Sequence, residues 1–139
     1  MNNCYVLDAC ALLALLHDEP GAAFVADVIC AANIGEADVS MHKVNLLEVY
    51  YDVYRSLGKA KADNVIREIQ NQPIAIRSDI SDSLFEETGR LKASYKISFA
   101  DAFALATASV MRAALLTADH HEMDTIEQSE PGIQFLWIR

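Results

Sequence analysis

Positive charge is scarce in this chain. Its 139 residues carry 11 Lys and Arg against 20 Asp and Glu, a formal net charge of −9. A broad nucleic-acid surface is normally basic, so this balance argues against one, though not against a small contact. It also suits a basic protein partner. Cysteine is sparse too: Cys4, Cys10 and Cys30 are an odd number without C-x-x-C spacing. That argues against a disulfide framework or a thiolate zinc site and fits a reducing, cytosolic compartment. No apolar run approaches the ~18 residues of a membrane span. No basic segment precedes the N-terminal apolar stretch, so a signal peptide is not expected. Low-complexity tracts, clear repeats and a linker long enough to divide domains are also missing. One domain covering residues 1–139 is the natural expectation.

What the chain does have is apolar content, 53% of its residues, enough to fill a sizeable core. Cys4–Leu7 is a short continuous apolar run ending at Asp8, the pattern of a strand buried on both faces of a parallel sheet. Further strands are expected at Ala37–Met41, Ile74–Arg77, Ala113–Thr117 and Ile133–Ile138. Helices are expected at Ala9–Leu16, which Pro20 breaks, and at Gly21–Ala32, where Phe24, Val25, Val28 and Ile29 recur at helical spacing. Lys43–Leu57 carries a wide apolar stripe of Val44, Leu47, Tyr51 and Tyr54, extended by Leu46, Tyr50, Val53 and Leu57. Tyr50, Tyr51 and Tyr54 are read there as core or dimer interface rather than base-stacking platforms. Gly58 separates that helix from Lys59–Gln72. Ser81–Lys96 should point Leu84, Phe85, Thr88 and Leu91 inward. The helix beginning at Ser98 is apolar on nearly every face and therefore buried. An acidic, irregular segment should follow Asp119 through Pro131-Gly132. Strands alternating with helices predict a three-layer α/β/α fold around a mainly parallel sheet of four to five strands.

Four acids stand out against this background. Asp8 and Asp119 fall just past two apolar strands, Asp101 sits in the first turn of the apolar helix, and Glu48 lies at the edge of a stripe. Each has a plain explanation. Asp8 can cap the following helix, Ser98-x-x-Asp101 resembles a capping box, Asp119 with Glu122 can cap a short helix, and Glu48 can be a solvated charge. Together they suggest more. In an open parallel sheet, ligands gather outside the carboxyl ends of the strands. The right-handed crossover brings the start of the Asp101 helix to that same edge. Carboxylates so close would raise each other's pKa unless a cation intervened. All-oxygen ligands favour Mg²⁺ or Mn²⁺ over zinc. Such a site is suited to phosphoester hydrolysis.

These motifs resemble a PIN-domain ribonuclease, and within that superfamily the VapC toxins of bacterial and archaeal toxin–antitoxin pairs. The resemblance rests on Asp8 after the first strand, Leu-Leu-Glu48-Val, Phe-Ala-Asp101-Ala followed by Ala-Thr-Ala, and Leu-Leu-Thr117-Ala-Asp119. It implies Asp8, Glu48, Asp101 and Asp119 as catalytic metal-binding residues. By the same resemblance Glu122 is expected as an outer ligand at the place of the family's second acid, with Met123 in the apolar slot and Asp124 next in line. It also implies Mg²⁺- or Mn²⁺-dependent cleavage of RNA, a homodimer, and inhibition by a cognate antitoxin whose C-terminal tail occupies the active-site groove. One departure is Cys10, where many members carry Ser, Thr or Asn to hydrogen-bond the site.

Other candidates carry less. Adjacent His120 and His121 point apart on most backbones, so a chelate is not expected. His17 and His42 belong to no constellation. A nucleophilic Cys10 would need a base beside it. Arg55, Lys59, Lys61 and Arg67, and likewise Arg90, Lys92 and Lys96, read as solvated helix faces, with phosphate contacts as the functional alternative. A haloacid-dehalogenase-type phosphatase needs Asp-x-Asp after its first strand, and Cys10 breaks that pattern. A PIN nuclease of RNA maturation without an antitoxin, and a non-catalytic binding module of the same fold, remain as alternatives.

Overall fold

The computed structural model describes residues 2–139. Within them the chain runs β1 (Asn3–Leu7), α1 (Ala9–Leu16), α2 (Ala22–Asn33), β2 (Ala37–His42), α3 (Lys43–Leu57), α4 (Lys59–Gln70), β3 (Ile74–Arg77), α5 (Asp82–Ser94), α6 (Phe99–Met111), β4 (Ala114–Thr117), α7 (His120–Ser129) and β5 (Gln134–Trp137). The strands form one sheet in the order β3-β2-β1-β4-β5. Every neighbouring pair is parallel. The chain winds from β1 outward to β3, then returns to the other side of β1 and continues to β5. The order therefore reverses between β1 and β4, the switch point whose crevice outside the carboxyl ends of the strands takes ligands in open parallel sheets.

Alternation along the central strands builds the layers. Leu7 and Leu116 pack with Leu12, Val25, Val49 and Ile69 from α1, α2, α3 and α4. Their neighbours Val6 and Leu115 turn the other way, onto Leu84, Phe103, Leu105 and Ile126 from α5, α6 and α7. All four residues of β4 are buried, as a strand covered on both faces requires. Among the described residues no helix is long and apolar enough to cross a membrane.

Three expectations need correction. Residues 120–129 are not irregular but form α7. Met123 and Ile126, three apart, bury fully against the sheet, and that pair suffices to dock an otherwise polar helix. In α3 the buried residues are Asn45, Leu46, Val49 and Val53. Leu47, Tyr51, Tyr54 and Leu57 lie on the outer side, so the inward stripe is turned from the expected one and Tyr51 and Tyr54 are not core. Phe85 also points outward, while Leu84, Thr88 and Leu91 face inward as expected.

The end of the chain closes over the α1–α2 connection. Gly21 has φ +97, and a Cβ there would stand 2.7 Å from the Ile138 carbonyl oxygen. Arg139 Nη1 donates to the Pro20 carbonyl at 2.8 Å, and the Arg139 carbonyl contacts His120 Nε2 at 2.8 Å. Gly21→Ala is therefore expected to destabilise the fold by about 1–3 kcal/mol through left-handed strain and the backbone clash. Urea unfolding monitored by circular dichroism checks this; an unchanged midpoint would contradict it.

Candidate active site

Each acid at the crevice is fixed by a local feature of the chain. Asp8 caps α1, its Oδ1 accepting the Ala11 amide at 2.8 Å. Its Oδ2 is buried with no hydrogen-bond partner. Asp101 sits in the first turn of α6, its amide donating to Ser98 Oγ at 3.0 Å. Buried Asn45 donates from Nδ2 to the Ala100 carbonyl at 2.9 Å, tying α3 to that turn. Asp119 occupies the N-cap position of α7 without a side-chain capping bond, and its amide donates to the fully buried Thr117 hydroxyl at 3.1 Å. Glu122 lies in the first turn of α7.

These elements bring Asp101, Asp119 and Glu122 together, with one oxygen of each within 4.8 Å of the others. Asp8 and Glu48 stand outside that trio but act on it. Burial pushes Asp8 up to about 7, against the pull of Thr117 and the Ala11 amide, and Asp119 and Glu48 add to the rise. Burial and the facing Glu122 carboxyl push Asp101 up to about 8, against Ser98, with Asp8 and Asp119 adding. Burial raises Glu48 as well, aided by Asp52, Asp119 and Glu122. Glu122 Oε2 is a second buried oxygen without a partner. An unmet buried acceptor costs about 1–3 kcal/mol. Five carboxylates thus share one field, and a hard cation with oxygen preference fits their chemistry.

Glu122, placed second in rank from the sequence, enters the tight trio, while Asp8 and Glu48 do not. Asn45 escaped notice entirely. A lone Asn within an apolar stretch of a predicted helix, three residues before Glu48, was the one available signal. Cys10 is half-buried; burial and nearby Asp8 push its thiol up to about 11, so it stays protonated at neutral pH and is no nucleophile. His120 is occupied by Asp124 at 2.8 Å and stacks on Trp137 at 3.8 Å. Arg90 is held by Glu87 and by both oxygens of Glu130, which removes it from the candidates for phosphate contact.

A five-stranded parallel sheet between two helical layers, with carboxylates gathered at its topological switch point, defines the class as an α/β protein with a candidate metal-dependent site. The chain belongs to the PIN domain family, whose model matches residues 5–127. Among solved structures it is similar to VapBC2 from Rickettsia felis bound to a promoter DNA fragment, at 15% identity and TM-score 0.75, covering 96% of this chain and 98% of that one. VapBC-1 from nontypeable Haemophilus influenzae matches at 15% identity and TM-score 0.72, covering 97% and 98%. VapC20 from Mycobacterium tuberculosis, a sarcin-ricin loop cleaving toxin, matches at 13% identity and TM-score 0.64, covering 84% and 91%. At these identities the likeness is one of fold. No curated protein matches the chain in sequence.

The raised carboxyls make the metal-free protein sensitive to pH. Asp8 and Asp101 have folded pKa values above their usual 3.8, so the folded state holds more protons than the unfolded chain between about pH 4 and 8. Stability therefore falls as pH rises through that window. In chelator, the melting temperature is expected to drop from pH 5.5 to pH 8. Mn²⁺ should restore more of it at pH 8 than at pH 5.5. Asp8→Asn keeps the helix cap and should flatten the pH dependence. Differential scanning calorimetry reads all three, and a melting temperature that climbs toward pH 8 in chelator would count against this electrostatic account.

Proposed function

We propose that this chain is an Mg²⁺- or Mn²⁺-dependent endoribonuclease that hydrolyses RNA phosphodiester bonds, and that it is the toxin of a type II toxin–antitoxin pair. The observation that carries the reading is the approach of Asp101, Asp119 and Glu122 to within 4.8 Å of one another at the carboxyl end of the sheet. Membership of the PIN domain family supports it. So does the likeness in fold to chains from toxin–antitoxin complexes and to a toxin that cleaves an RNA loop.

The residues fit a divalent cation. All the available donors are carboxylate oxygens, and two of them, Asp8 Oδ2 and Glu122 Oε2, are buried and unpartnered. Asp101, Asp119 and Glu122 would hold the ion most directly, with Asp8 and Glu48 completing the acidic shell. When bound, the ion supplies an activated water and offsets charge on the phosphorus-centred transition state. The chain supplies position. Ser98 and Asn45 fix the turn that carries Asp101, and Thr117 fixes the backbone at Asp119. Without a cation the same acids repel a phosphate, so substrate affinity depends on loading.

The acidic balance suits a basic antitoxin segment entering the groove, and a homodimer completes the assembly the family resemblance implies. Asp101→Asn preserves the Ser98 cap, which uses the backbone amide, and should retain the fold. It is expected to lower RNA cleavage by at least about 100-fold. A gel assay on total RNA, with and without chelator, measures this. Wild-type cleavage that persists in excess chelator would overturn the metal-dependent mechanism.

A further inference from the structure

A recess of about 390 Å³ opens beside the acidic trio, lined by Tyr95, Lys96, Ile97, His121, Glu122 and Thr125. Glu122 is the wall it shares with the trio. Its other walls come from the two segments that carry the trio. Residues 95–97 run directly into Ser98, the cap of the Asp101 turn. His121 and Thr125 stand one turn apart on α7, flanking Glu122 in sequence. The volume falls in the range of roughly 300–1,000 Å³ that holds a small organic ligand.

The lining says which ligand. Lys96 is exposed and, among the described residues, in no salt bridge, although the chain carries a net charge of −9. Glu130, the acid that adjacent Tyr95 reaches, is taken up elsewhere. It accepts from the Tyr95 hydroxyl at 2.5 Å and from Arg90 through both of its oxygens. That clamp holds the Tyr95 side chain in the wall and leaves the Lys96 ammonium free. His121 is exposed as well, because Asp124 and the Arg139 carbonyl engage His120 instead. A free ammonium beside a carboxylate site suits a phosphate. Tyr95 and buried Ile97 offer apolar surface to the face of a base, and His121 and Thr125 offer polar groups to its edge. A nucleotide unites these three chemistries.

We propose that this recess is a nucleotide subsite of the active site: it takes the base of a residue next to the scissile bond, while Lys96 contacts the adjoining phosphate. The assignment rests on the nuclease reading given above and adds where the substrate strand lies beside the acids. A base enters such a recess only after leaving its stack, so the subsite favours single-stranded loops over paired stems.

Uridine monophosphate tests this, since it carries one base and one phosphate and no phosphodiester bond to cut. Titrated with Mg²⁺ into isotope-labelled protein and followed by NMR, it is expected to move the amide signals of Lys96, Ile97, His121 and Thr125. Lys96→Ala should weaken its binding at least about fivefold. Lys96→Arg keeps the charge and should bind as the wild type does. Ribose phosphate, which lacks the base, should bind at least about fivefold more weakly than uridine monophosphate. With an RNA substrate, Lys96→Ala should raise KM far more than it lowers kcat. Signals that move only at Asp119 and Glu122, or an affinity that Lys96→Ala leaves intact, overturn the subsite. A wild type that binds uridine monophosphate in the recess yet cleaves no RNA overturns the nuclease reading alone.

Discussion

Mutual repulsion among carboxylates is the constraint on which this structure turns. Asp8, Glu48, Asp101, Asp119 and Glu122 share one electrostatic field, and burial raises the cost for those most withdrawn from water. The fold offsets part of that cost. Asp8, Asp101, Asp119 and Glu122 stand at or in the first turns of α1, α6 and α7, whose N-termini each carry roughly half a positive charge. The offset is partial, because two carboxylate oxygens remain buried without partners. A protein that keeps such an arrangement is under strain until protons or a cation relieve it.

The backbone makes the gathering possible. β1 and β4 are neighbours in the sheet although residues 8–113 separate them in sequence. Their carboxyl ends deliver Asp8 and Asp119 to the same crevice. The register that pairs Leu7 with Leu116 places the two acids one and three residues beyond matched positions. α6 then returns Asp101 to that edge, where Asn45 locks its first turn to α3. Burial of Leu115 and Leu116 on opposite sides of β4 holds the strand, and so the acid beyond it, in place.

Much of this was legible in the residues. The apolar run Cys4–Leu7 ending in an acid, and Ala113–Thr117 ending near another, announced two central strands and a shared edge. The tight trio was harder to see. Glu122 joins it because α7 starts directly at Asp119 and turns its first residues back over the crevice. That helix was hidden because only Met123 and Ile126 mark its buried side. The outward turn of Leu47, Tyr51, Tyr54 and Phe85 was equally hidden. Periodicity shows that a helix has an apolar side but not which of two adjacent stripes meets the sheet, and a helix apolar on both sides defeats it. Asn45 and the unpartnered oxygens were out of reach, since they depend on contacts between elements distant in sequence.

The central claim is that a divalent cation resolves the repulsion at the switch point. Crystals soaked in Mn²⁺ and measured above the manganese absorption edge test it most directly. The account predicts an anomalous peak bounded by oxygens of Asp101, Asp119 and Glu122, and its loss in Asp119→Asn crystals. Ordered carboxylates with no anomalous density between them at saturating Mn²⁺ would contradict it.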